Sequence, residues 1–321
     1  MAVLLLCGCG QKSETTAAAP AQAVTAPAAQ SGMARPVNTG VTPEQFGAKG
    51  DGIADDLQAL QAAMQQASAS GRPLELTAGA VYRFSSCLGL PSGLTIRGNG
   101  AVLLSDIQYP DLREDRVAVE LMKDSDGDRA HDVRLENVTF RAADSCQANY
   151  MLRVMLARNV EFVGCTFDCE PNEWGRCAAD LYGGNENIRF EGCVFRQMTS
   201  DASGGIWVRN WTDRVESRNI RFQNCEFYKS GADELLAVWG WGGAVRDVVL
   251  SGCSFYETQT QEALDAGHRP VWFITLGQSG TTDVRMEDCT VRAEYCETIF
   301  RMVGDKTRAV VDNCDITMKQ R

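Results

Sequence analysis

The sequence predicts an all-β fold: a single-stranded, right-handed parallel β-helix closed at its N-terminal end by a short helix. Three observations carry this. A nine-residue phrase recurs seven times between residues 132 and 316. Within it, apolar and polar residues alternate with the period of a half-buried strand. Successive copies lie 25 to 36 residues apart, the repeat length of a solenoid whose units stack on one another.

In chain order, the first segment is residues 1–9, "MAVLLLCGC", a short apolar run. Its Leu6-Cys7-Gly8-Cys9 resembles a bacterial lipobox, which makes Cys9 the expected lipidation site and membrane anchor. Residues 10–41 are rich in Ala, Pro, Thr and Gln without periodicity, the composition of a flexible tether. The folded domain is expected over residues 42–321, and the resulting protein is expected to be exported and tethered at the cell envelope. Across all 321 residues, 42 acids face 31 bases, for a net charge of −11. That balance argues against a nucleic-acid partner, which needs a basic face.

Residues 45–66, "QFGAKGDGIADDLQALQAAMQQ", place an acidic pair, Asp55-Asp56, ahead of a helical pattern over about 54–70. Asp55 can cap such a helix, and Leu57, Leu60 and Met64 fall on one face. Phe46-Gly47-Ala48, Gly50-Asp51-Gly52 and Asp55-Asp56 resemble the opening of the pectate-lyase-like β-helix superfamily, which includes polygalacturonases and phage tailspike depolymerases. The resemblance implies that this helix plugs the open end of the solenoid and shields backbone edges. It continues through residues 73–104 as the first coils.

The repeats follow: "DVRLENVTF" (132–140), "NVEFVGCTF" (159–167), "NIRFEGCVF" (187–195), "NIRFQNCEF" (219–227), "DVVLSGCSF" (247–255), "DVRMEDCTV" (283–291) and "RAVVDNCDI" (308–316). Val160/Phe162, Ile188/Phe190 and Ile220/Phe222 should face the interior, and a Gly, Asn or Asp before most of the cysteines supplies a turn. The seventh place reads Val138, Cys165, Cys193, Cys225, Cys253, Cys289 and Cys314. A linear ladder cannot converge tetrahedrally on zinc, so the column reads as small buried packing residues. Cys169 and Cys177 flank "CEPNEWGRC" and could form a disulfide in an oxidising compartment. No metal site is expected. The acidic run "DSDGD" (124–128) fits a calcium loop poorly and reads as an acidic turn.

Polygalacturonases carry four catalytic signatures on consecutive coils, and the resemblance implies counterparts here. The nearest matches are Asp201, the pair Asp233 and Glu234, His268 and Arg301, with Asp201, Asp233, His268 and Arg301 spaced 32, 35 and 33 residues apart. His268 is followed by Arg-Pro rather than Gly, and Arg301 by Met-Val rather than lysine. In such a site one carboxyl protonates the leaving oxygen and another activates water. Of these groups, His268 could hold a protonation state and Arg301 could bind a uronate carboxylate.

All six tryptophans fall within residues 174–272. Trp207 and Trp239 alternate with interior residues and should point outward, with Trp241, Trp272 and Tyr182 nearby. Such a face suits stacking against sugar rings. The expected function is cleavage of an acidic polysaccharide by glycoside hydrolysis on the outer face of the solenoid. A polysaccharide lyase, for which calcium would be the cofactor, and a non-catalytic, lipid-anchored glycan-binding or structural protein stand as alternatives. The relative placement of Asp180, Asp201, Asp233 and Glu234 would decide between catalysis and binding. Self-association at an uncapped C-terminal end is a further expectation.

Overall fold

In a computed structural model of the chain, the described residues are 40–108, 116–121, 129–168, 177–198, 205–210, 215–229, 234–241, 243–257, 272–277, 280–293 and 298–318. They build a parallel β-helix with three sheets of nine, ten and eight strands. The first half of each phrase is a strand of sheet 1 (Ala157–Val163, Glu186–Glu191, Ser217–Gln223), and the second half is a strand of sheet 2 (Thr166–Asp168, Val194–Met198, Glu226–Lys229). Sheet 3 holds strands with no counterpart in the phrase: Tyr150–Met155, Cys177–Tyr182, Ile206–Asn210, Leu236–Gly240, Trp272–Gly277 and Thr298–Val303.

Neighbouring coils pair in parallel with the register the phrase predicts. Val160 lies opposite Val133 and Ile188, and Phe162 opposite Leu135 and Phe190. In each copy of the phrase the chain passes from sheet 1 to sheet 2 through one left-handed residue, such as Asn137 (φ 52°), Gly192 (φ 60°) and Asn224 (φ 53°). Gly and Asn tolerate that region, so the corner is closed without a loop. The first place of the phrase has the same constraint: Asp132, Asn159, Asn187, Asn219 and Asp247 all have φ of 55–57°.

Two columns of phenylalanine fill the interior. Phe162, Phe190 and Phe222 stack with ring centroids 4.8 and 5.0 Å apart. Phe140, Phe167, Phe195, Phe227 and Phe255 form the second column, at 4.7–5.0 Å. The columns meet edge to face, as at Phe190–Phe195. Burying each ring contributes roughly 1.5–3 kcal/mol before contacts between rings are counted.

Beside them runs the cysteine column, buried from Cys165 to Cys289. Each thiol donates to a carbonyl of the preceding coil: Cys193 to Phe162 at 3.3 Å, Cys225 to Phe190 at 3.5 Å, Cys253 to Phe222 at 3.3 Å. Hydrogen bonding to the thiols above and below, together with burial, pushes Cys193 and Cys253 up. No cluster of three or more His, Cys, Asp or Glu placed to hold a metal occurs among the described residues.

The N-terminal helix spans Leu57–Ser70. It begins three residues later than expected because Asp51–Asp55 is a strand, with Asp51 opposite Val81 and Asp55 opposite Arg83. The helix is capped at Asp56 rather than at the expected Asp55, and without a side-chain cap bond; Asp55, one residue earlier, accepts the first helical N–H, that of Leu57, at 3.2 Å. Asp56 turns the other way and accepts from Lys49 and Gly50, at 2.7 and 3.0 Å, to hold the preceding turn. Leu57, Leu60, Ala63, Met64 and Ala67 are buried against the end of the core. Val41 already pairs with Leu74, so this residue is part of the coil.

Candidate functional site

The outer face of sheet 3 is set by a recurring irregularity. In four coils two consecutive residues belong to the core: Met151-Leu152, Ala178-Ala179, Leu235-Leu236 and Phe273-Ile274. In one coil the N–H groups of Ala178 and Ala179 share the Gly205 carbonyl, at 2.6 and 3.4 Å. The residues on either side of each doublet therefore both face outward. Tyr150 accompanies Arg153, Cys177 accompanies Asp180, and Glu234 accompanies Ala237.

Two outward columns result. One runs Arg153, Asp180, Trp207, Ala237, Thr275, Arg301. The other runs Met155, Tyr182, Arg209, Trp239, Gly277, Val303. Trp207 and Trp239 thus stand outward on adjacent coils, in neighbouring columns rather than one above the other.

At the centre, Asp180 is fully buried and held by two arginines. Arg209 binds it with both Nε (2.7 Å) and Nη2 (2.8 Å), and Arg153 donates from Nε at 3.2 Å. Arg153 and Arg209 are themselves only 7% and 5% exposed. Burial disfavours the Arg209 charge, but the bonds to Asp180 outweigh it and raise its pKa. Three donors occupy its two oxygens, so Asp180 serves as an anchor for the two guanidiniums.

Aromatic rings enclose this cluster. The Arg209 guanidinium lies 4.1 Å from the Trp207 ring centroid and 5.2 Å from that of Tyr182. Arg153 lies 4.6 Å from the Tyr150 centroid, and burial pushes the Tyr150 phenol up. From Tyr150 the rings continue as a band: Tyr150–Trp207 at 6.1 Å, Trp207–Trp239 at 5.5 Å, Trp239–Trp241 at 5.0 Å. Trp207 is 9% exposed, whereas Trp239, Trp241 and Tyr182 are half-buried. Trp207 is therefore the floor of the band, and the other rings are its accessible part. The indole N–H groups of Trp207 and Trp239 are buried without a hydrogen-bond partner among the described residues.

Of the carboxylates singled out in the sequence, Glu234 lies just before the Leu236–Gly240 strand and is buried at 6% exposure. It accepts the Thr275 hydroxyl at 3.3 Å across to the next coil. Arg301 is exposed two coils further on, in the column of Thr275. Asp201, Asp233 and His268 lie outside the described residues, as do Cys9, Cys169 and residues 124–128. The same holds for the Trp272 side chain. Cys177 is buried, its thiol donating to the carbonyls of Ala179 (3.3 Å) and Gly205 (3.4 Å).

Arg153, Asp180 and Arg209 as a set are absent from the sequence reading. A signal existed: Arg153 and Asp180 each sit between apolar residues, in "LRV" and "ADL", and Arg209 follows the apolar run "IWV", at separations of 27 and 29 residues.

Comparison with known proteins places this geometry in a family context. The family described as rhamnogalacturonase A/epimerase, pectate lyase-like, matches residues 41–254. Among solved structures, the ORF18 protein of Geobacillus virus E2 superposes with a TM-score of 0.57 at 14% identity, covering 87% of this chain and 60% of its own. A tailspike protein of Acinetobacter phage vB_ApiP_P1 gives 0.56 at 16% identity, over 86% of this chain and 49% of its own. PfbA, a surface adhesin of Streptococcus pneumoniae, gives 0.53 at 13% identity, over 88% and 91%. This chain therefore spans about half to three-fifths of the two phage proteins and nearly all of the adhesin. At these identities the likeness is one of fold. No curated protein sequence matches the chain.

Proposed function

We propose, since the chain belongs to the rhamnogalacturonase A/epimerase, pectate lyase-like family, that it binds an acidic polysaccharide along the outer face of sheet 3 and cleaves it by glycoside hydrolysis. The observation that carries this reading is the band Tyr150–Trp207–Trp239–Trp241 beside a pair of buried guanidiniums. Aromatic rings offer flat faces for sugar rings, and the guanidiniums of Arg153 and Arg209 lie among those rings. Glu234 lies at the start of the strand that carries Trp239, so it supplies one carboxyl of the pair that hydrolysis requires. Asp233 or Asp201 would supply the other, His268 would tune a protonation state, and Arg301 would grip a substrate carboxylate. A lipid at Cys9 would tether the domain to the cell envelope.

The test is release of reducing ends from a panel of acidic polysaccharides by wild type, Glu234→Gln and Asp233→Asn. Loss of one member of an acid–base pair typically lowers turnover by about 10²–10⁴-fold. Full activity in both variants refutes the site. Product with unsaturated-uronate absorbance, abolished by chelator, assigns a calcium-dependent lyase instead. A second reading, binding without turnover, is favoured by the commitment of Asp180 to its two arginines. Retention on a glycan array with no product from any substrate decides for it.

A further inference from the structure

A second concave surface lies on sheet 1, away from the aromatic band. It is a groove of about 520 Å³ running across four coils, from Asp132 to Asn219 and Arg221. Its size is that of a ligand site. One wall is a ladder of side-chain amides. Asn219 donates to Asn187 at 2.6 Å, Asn187 to Asn159 at 2.9 Å, and Asn159 to Asp132 at 2.8 Å. Asn159 and Asn187 each spend one N–H and one lone pair on the ladder, so the second N–H and a further acceptor position remain. Asn159 and Asn187 are exposed. The same donor–acceptor pair is therefore offered once per coil, about every 4.8 Å.

The other column is ionic but closed on itself. Arg134 binds Glu136 and Glu161, Arg189 binds Glu161 and Glu191 at 3.0 and 2.9 Å, and Arg221 binds Asp247 at 2.6 Å. Every guanidinium lining the groove has its carboxylate. A polyanion would have to displace these partners and would meet Glu161 and Asp132. An apolar peptide would find polar and charged side chains along both columns.

What fits a charge-balanced groove with repeating donor–acceptor pairs is a polymer of hydroxyl groups. From this we infer that the sheet 1 groove is a second carbohydrate site, which holds an uncharged glycan strand along the solenoid axis. It is separate from the sheet 3 face and does not depend on the reading of that face. The left-handed backbone at Asn159 and Asn187 presents the amides.

The experiment is affinity electrophoresis of the whole chain in native gels containing β-1,4-galactan, arabinan, galactomannan or dextran. Wild type is expected to be retarded by at least one of these. The double variant Asn159→Ala/Asn187→Ala should bind about tenfold more weakly, since it removes two or more hydrogen bonds to the glycan. Trp239→Ala should be retarded like wild type. Hydrogen exchange of the wild-type protein with the retarding glycan reports independently of any variant: protection is expected over Ala157–Val163 and Glu186–Glu191. Lack of retardation by all four glycans overturns the inference. So does loss of retardation in Trp239→Ala, or protection confined to Ile206–Asn210 and Leu236–Gly240, since either moves the binding to sheet 3.

Discussion

Replacing Asp180 by Asn should be among the most damaging single changes outside the phenylalanine stack. Its carboxylate is fully buried, and its partners Arg153 and Arg209 are 7% and 5% exposed. The amide keeps the shape but loses the charge and one acceptor, so both buried guanidiniums lose the carboxylate that holds them. Breaking a buried pair costs about 3–5 kcal/mol, whereas an exposed pair is worth under about 1 kcal/mol. The exposures place this cluster in the first class. For a domain of this size each kcal/mol shifts Tm by about 2–4 °C, so a fall of roughly 6–20 °C is expected. The assay is thermal unfolding followed by circular dichroism at one fixed scan rate, because an irreversible transition makes Tm depend on rate. A companion variant sharpens it. Arg153→Met/Asp180→Leu/Arg209→Met removes all three charges for apolar volume and should recover most of the loss. A shift below about 4 °C for Asp180→Asn, or a triple variant as unstable as the single one, would refute the reasoning.

Other outcomes follow from the same geometry. Phe190→Ala, which removes a ring touching Phe162, Phe167, Phe195 and Phe222, should cost about 3–5 kcal/mol and be seen as a lower unfolding temperature. Trp239→Ala should weaken retention on the acidic polysaccharide about ten- to a hundredfold, from the roughly 1.5–3 kcal/mol of an exposed-to-buried aromatic, with Tm little changed. The column thiols from Cys165 to Cys289 should resist an aromatic disulfide reagent until denaturant is added; rapid labelling of the native protein would contradict their burial. Asp106 is held below its usual 3.8 by the Ser145 hydroxyl and by Arg83. Its contribution is present above the unfolded pKa and lost as pH falls through the lower folded value. Asp106→Asn should therefore reduce stability at pH 7 and flatten the acid limb below about pH 4.

How far the sequence reaches can be seen coil by coil. The phrase specifies sheets 1 and 2 and the corner between them because three constraints coincide there: period-2 burial, a left-handed turn residue and a small buried seventh place. The Asn or Asp at its first place was also visible, but its backbone reason in the first five copies emerges only with φ values of 55–57°. Sheet 3 was less legible. Its inward-facing doublets break the alternation, so Met151-Leu152 and Leu235-Leu236 read as continuous apolar runs. Outward placement of Trp207 and Trp239 followed from local alternation, while their neighbouring columns depend on the pairing of Trp239 with Arg209. The Arg153–Asp180–Arg209 cluster needs contacts between residues 27, 29 and 56 apart. Those contacts depend on connections before each sheet 3 strand that vary in length, and local pattern carries no information on them.

The phenylalanine columns also have a mechanical meaning. Stacking runs from Phe140 to Phe255, and the end coils replace the rings by Leu103 and Leu135 on one side and Met286 and Val291 on the other. A solenoid loses structure by peeling from its ends when its nearest-neighbour terms are weakest there. Pulled or heated, this one should fray inward and halt at the aromatic spine. The coils that arrest the peeling carry Arg153, Asp180, Arg209 and the tryptophan band on their outer face. A rigid backing of that kind would let the face meet a long, dragging polymer without the coils beneath it slipping out of register.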